Sequence, residues 1–130
     1  MFKKPQNDKK YFWTQHVTEK MLFYGISEGR IKRIIRYPTR TEEGIAPDTV
    51  AVMQSAGTKR YAEIWVMYKV VKPQESGKNP FSQVPDELKR LQDLFGGRRF
   101  KVITTWRYPG KSPERDPVPD EVMSEIKEML

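Results

Sequence analysis

Thr14–Pro38, TQHVTEKMLFYGISEGRIKRIIRYP, holds the chain's only histidine, two helix starts, a glycine stop and a proline stop. Thr14 and Ser27 belong to the residue types that cap a helix start by accepting a backbone N–H bond. Gly25 adopts the left-handed conformation that ends the first helix without a side-chain clash. Val17, Met21 and Tyr24, then Ile31, Ile34 and Ile35, recur at three- and four-residue steps, so each helix has an apolar face to bury. Isolated helices this short are marginal in water. The pair must therefore lie on something, and the rest of the chain reads as a sheet built to receive it.

Thr39–Asp48 contains Gly44 and Pro47 and reads as a loop, while Thr49–Ala56, TVAVMQSA, has the β-branched content of a short strand. After a turn at Gly57-Thr58, Lys59–Lys72 carries the strongest strand signal. Ala62, Ile64, Val66, Tyr68 and Val70 form one face of it, and Tyr61, Glu63, Trp65, Met67 and Lys69 the other. The first face is core; the second mixes aromatic rings with charge and is expected to be an exposed working surface. Residues 73–97 form an insertion, first a Pro- and Gly-containing loop, then a helix over 85–95 that starts on Pro85 and stops at Gly96-Gly97. Arg98–Tyr108 is the last, outer strand, with Phe100, Val102, Thr104 and Trp106 on one side and Lys101, Ile103, Thr105 and Arg107 on the other. A helix over 119–130 follows, whose Val122, Ile126 and Met129 stripe suits packing on the body or on a second copy in a homodimer. The expected architecture is one α+β domain over residues 1–130: two N-terminal helices on one face of a small antiparallel sheet, a core spanning 12–108, an inserted helix and a C-terminal helix. Met1–Lys10 is expected to be a flexible basic arm.

The balance of 24 Lys and Arg against 17 Asp and Glu, net +7, gives a positive field that favours anionic partners, nucleic acid among them. Without cysteine and with one histidine, disulfides, thiolate sites and multi-histidine zinc sites are excluded, so no metal or other cofactor is expected. No apolar run approaches the roughly 20 residues that cross a bilayer, and Met1–Lys10 lacks a hydrophobic signal core, so the expected compartment is the cytoplasm.

His16-x3-Lys20-Met21-x2-Tyr24-Gly25-Ile26-Ser27-x3-Ile31-x2-Ile34-Ile35-x2-Pro38, with Arg60-Tyr61 and Val102-Ile103-Thr104-Thr105-Trp106-Arg107 further on, resembles an uncharacterised bacterial and phage family catalogued as a domain of unknown function. That family opens on His-x3-Arg-Met-x2-Arg-Gly-Ile and is grouped with RelE-like and BrnT-like toxin ribonucleases. The resemblance covers roughly residues 12 to 108. It implies a RelE- or barnase-like fold, contact with RNA, and an antitoxin or other protein as partner. Arginine is usual in the family where Lys20 and Tyr24 stand, which weakens an anion site built on guanidinium forks.

Metal-independent RNA cleavage needs a base for the 2′-hydroxyl proton, an acid for the leaving oxygen, and fixed cations around the phosphorane. The chain offers Glu63 as base and His16 as acid, with Arg107, Arg60 and Lys20 holding phosphate. Thr105 would orient a phosphate oxygen, Tyr61 or Trp65 would stack a base, and Lys101 would add a backbone contact. The same residues have structural readings: His16 packed, Glu63 in a cross-strand ion pair, Trp65 and Trp106 in the core, Lys101 and Arg107 on a solvated edge, and Arg30, Lys32, Arg33 and Arg36 as a wet helix face. A non-catalytic module that binds nucleic acid or protein through the sheet is the alternative to a ribonuclease.

Overall fold

The computed structural model describes residues 2–45, 48–71 and 99–129. Along the chain run β1 (Tyr11–Trp13), α1 (Gln15–Tyr24), α2 (Glu28–Arg36), β2 (Arg40–Glu43), β3 (Thr49–Ser55), β4 (Ala62–Val71), β5 (Arg99–Pro109) and α3 (Asp120–Met129). The expected loop and helix of the 73–97 insertion lie outside the described residues. The class is α+β, as expected.

Both helix starts form as the residue types dictate: the Thr14 hydroxyl accepts from the Val17 amide and the Ser27 hydroxyl from the Arg30 amide. Gly25, at φ 66°, turns the chain out of α1. The helices bury Val17, Met21, Ile31, Ile34 and Ile35 against Val52, Ile64, Val66 and Val102, the inward side chains of three strands.

The sheet has five strands in the order β1-β5-β4-β3-β2. It is mixed rather than antiparallel, because β1 runs parallel to β5, with Tyr11 beside Phe100 and Trp13 beside Val102. β5 is thus an inner strand, and the edges are β1 and β2. Neither edge strand was legible: β1 has three residues, and β2 is RTEE, a charged segment inside the expected loop. Such charge is what keeps an exposed edge from pairing with other chains.

Residues 2–10 are anchored where a flexible arm was expected. Pro5 is buried and Phe2 packs on the helix-side core. The Asn7 side chain accepts from the Trp13 amide at 2.7 Å, and the Asp8 carboxylate accepts from the Lys10 and Tyr11 amides at 2.8 and 2.7 Å. Those two amide bonds hold the Asp8 carboxyl below its ordinary pKa.

The largest departure concerns the face expected to be open. Ala51, Met53, Trp65, Met67 and Trp106 form a second core there, closed by Val118, Val122 and Ile126 from the C-terminal segment. Val122 and Ile126, two residues of the stripe that suggested a homodimer, are therefore engaged within their own chain. A bulge between Met67 and Tyr68 in the β4–β5 register explains how β5 serves both cores: Tyr68 faces Val102, whereas Met67 faces Thr104, and Ile103 is the extra residue. One extra residue reverses the alternation. Phe100 and Val102 point to the α1–α2 side and Trp106 to the α3 side, although the sequence had put all three on one face.

Candidate nucleic-acid interface

The hydrogen bonds of Glu63 account for most of the expected catalytic face. Its side chain is fully buried, and the carboxylate accepts from Tyr61 Oη at 2.9 Å, Trp65 Nε1 at 3.0 Å, the Ser112 amide at 3.1 Å and, at close range, Ser112 Oγ. Arg40 Nη1 lies 3.7 Å from the same carboxylate and donates to Ser112 O at 3.1 Å and Ser112 Oγ at 3.0 Å. Arg40 Nη2 donates to Pro113 O at 3.0 Å and to Glu42 at 3.2 Å. The Arg40 guanidinium also lies 5.0 Å from the Trp65 ring centroid.

Burial by itself raises the Glu63 pKa. The bonds from Ser112 Oγ, Trp65, Tyr61 and the Ser112 amide outweigh it and hold the carboxyl below the ordinary value. A carboxylate so placed is a poor proton acceptor for a ribose hydroxyl. It is a latch that holds the connector after β5 on the sheet, so that α3 can cover the tryptophans. Sequence reasoning missed Arg40, inside a presumed loop, and Ser112, in a proline-rich connector; no periodicity marks either.

The remaining expected catalytic and phosphate-binding residues go to separate places. His16 Nε2 and Lys20 Nζ face Glu125 of α3, at 3.5 and 2.6 Å. His16 Nε2 and Glu125 Oε2 are buried atoms without a hydrogen bond. Arg107 Nε donates to the Tyr24 carbonyl at 2.9 Å, capping the C-terminal end of α1 from the helix side of the sheet. Thr105 is fully buried and donates to the Trp65 carbonyl at 2.6 Å. Trp65 is fully buried and cannot stack a base. Lys101 is exposed near the insertion end of β5. Arg60 and Tyr61 stay exposed in the β3–β4 turn.

Arg60 has company that the expected site did not include. In α2 the isoleucines take the buried face, which leaves Arg33 and Arg36 exposed on the other. Gln54 Nε2, near the end of β3, donates to the Arg33 carbonyl at 3.3 Å and the Tyr37 carbonyl at 2.8 Å, and Arg30 Nη2 donates to the Ser55 carbonyl. These bonds fix the last turn of α2 against the end of β3, beside the turn that carries Lys59 and Arg60. Among the described residues no carboxylate pairs with Arg33, Arg36, Lys59 or Arg60. Tyr37, at the end of α2, is 67% exposed, so an aromatic ring lies within this basic surface, whereas the Tyr61 hydroxyl is turned to Glu63 on the other face of the sheet.

Charge is divided between α2 and the C-terminal segment. Residues 111–130 carry Glu114, Asp116, Asp120, Glu121, Glu125 and Glu128 against Lys111, Arg115 and Lys127, and α3 sits opposite α2 across the sheet. A polyanion approaching this protein is repelled by α3 and its connector and drawn to the α2 surface.

Comparison with known proteins gave no match to a family model, a curated protein or a solved structure. The family resemblance rests on the quoted residues alone.

Proposed function

We propose that this protein is a non-catalytic binder of single-stranded nucleic acid, with RNA indicated by the family resemblance. The contact surface is that of α2 and the β3–β4 turn. The observation that carries the reading is the clamp of Gln54 and Arg30 between helix and hairpin, which holds the end of α2, with Arg33, Arg36 and the exposed Tyr37, against the hairpin that carries Lys59 and Arg60. Guanidinium and ammonium groups follow a phosphate backbone, and exposed rings stack unpaired bases that a duplex would keep covered. The reading takes the helix pair over the sheet as RelE-like in arrangement and the cytoplasm as the place of action. Cleavage is not part of it, because the carboxylate suited to be the base is held by the C-terminal connector and His16 lies against Glu125.

The test is fluorescence anisotropy of a labelled oligouridylate titrated with the full chain across a salt series. Four phosphate contacts give a slope of log K against log salt of roughly −3 for a single strand. Replacing Arg33, Arg36, Lys59 and Arg60 together by Ala is expected to abolish both affinity and slope. Unchanged binding by that variant, or equal affinity for duplex RNA, would sink the proposal.

A further inference from the structure

At the other end of β4, on the face that α3 covers, the register sets Phe12, Lys101 and Lys69 side by side across β1, β5 and β4. Arg99 lies two residues before Lys101 on the same strand, and its guanidinium carbon is 5.2 Å from the Phe12 ring centroid. Lys101 is exposed, while Lys69, Arg99 and Phe12 are half-buried. Two lysines directly opposite each other on paired strands repel, and sequences ordinarily place an acid in one of the positions. Here a third cation is adjacent, and among the described residues no carboxylate forms a salt bridge with any of the three; Asp8 acts on Arg99 only at longer range. Arg99 Nε is a buried atom with no hydrogen-bond partner among the described residues. Lysines on edge strands deter sheet-to-sheet pairing, but β4 and β5 are inner strands, so that explanation does not apply.

We infer that Lys69, Arg99 and Lys101 form an anion site that takes a phosphate group. A tetrahedral dianion between the two ammonium groups turns their repulsion into attraction, and the Arg99 guanidinium beside them adds a third positive charge. The Phe12 ring fixes the guanidinium plane from one side. The site is independent of the α2 surface: it lies at the opposite end of β4, which is read out separately from oligonucleotide binding.

The experiment uses the full chain, with inorganic phosphate and uridine 5′-monophosphate as separate probes at constant ionic strength. Amide NMR shifts and the melting temperature are followed. At about 20 mM of either probe, shifts concentrated at Phe12, Lys69, Arg99 and Lys101 and a melting temperature raised by roughly 2–4 °C are expected. Equal responses to the two probes identify the phosphate as the recognised group; a stronger response to the nucleotide adds its base to the recognition. The Lys101→Glu protein is expected to melt higher than the parent without any probe, since it replaces the like-charge pair with an opposite one, and to lose the probe-dependent shifts. The same phosphate response in parent and variant, a lower melting temperature for Lys101→Glu without probe, or shifts confined to the α2 surface would overturn the assignment. The Arg33, Arg36, Lys59 and Arg60 alanine protein keeps the phosphate response if the two sites are separate, and its loss there counts against this site while leaving oligonucleotide binding to its own test.

Discussion

Trp65 and Trp106 stack across the β4–β5 ladder with ring centroids 5.9 Å apart and planes within 4° of parallel, both fully buried. The Trp65 indole donates to Glu63, and that of Trp106 donates to the Pro117 carbonyl at 3.2 Å, so each ring is tied to the C-terminal segment or its latch. The pair exists because the bulge at Ile103 brings Trp106 round to the side of Trp65.

Removing Ile103 should therefore be far worse than shortening it. Deletion restores strict alternation, which sends either Trp106 into the α1–α2 core or Lys101 in place of Val102. Loss of cooperative unfolding in a denaturant titration is the expected result. Ile103→Ala keeps the residue count and, at a half-buried position, is expected to cost about 1–2 kcal/mol.

Removing the acceptor at the centre of the latch leaves the buried Trp65 indole and the Ser112 amide without the acceptor they bond, and takes a buried charge from beside Arg40. For Glu63→Ala a loss of about 3–5 kcal/mol in unfolding free energy is expected, and for Ser112→Ala about 1–3 kcal/mol. Urea unfolding followed by tryptophan fluorescence checks both, because both indoles lie under the connector. A Glu63→Ala protein as stable as its parent would refute the latch.

The pH dependence follows from the direction of the Glu63 shift. A carboxyl whose pKa is lower folded than unfolded contributes stability above its unfolded value, about 4.3, and that contribution is lost as pH falls through the lower native value. Unfolding free energy measured from pH 7 downward should thus decline more steeply below about pH 4.3 in the parent than in Glu63→Gln. Parallel profiles would show that Glu63 carries no such linkage.

The C-terminal segment is expected to behave as core rather than as an appendage. Ile126→Ala, at a site 1% exposed, should cost about 2–5 kcal/mol. Ending the chain at residue 111 should shift tryptophan emission to the red and promote aggregation. An unchanged emission maximum in the shortened chain would contradict the second core.

His16→Ala gives a separate reading on the resemblance to ribonucleases. It is expected to leave oligouridylate affinity unchanged and to alter only the contact with Glu125. The full chain incubated with RNA in EDTA should leave the RNA intact; cleavage that His16→Ala removes would restore the enzyme reading.

The sequence by itself determined the helix pair and its buried stripe, because capping and helical periodicity are written within a few neighbouring residues. It determined the three long strands for the same reason. Only the tertiary structure decided which strand face meets solvent. In β4, Ile64, Trp65, Val66 and Met67 are all buried, so the strand is apolar on both sides, and alternation with charge at Glu63 and Lys69 concealed this. β1 is too short to declare itself and forms by parallel pairing to a strand far along the chain. The bulge, the latch from Arg40 to Ser112 and the dispersal of His16, Glu63 and Arg107 depend on contacts between distant segments. Hydrogen-bond partners and backbone register across such distances leave no periodic mark in the sequence, and here they turned an expected catalytic surface into a second core.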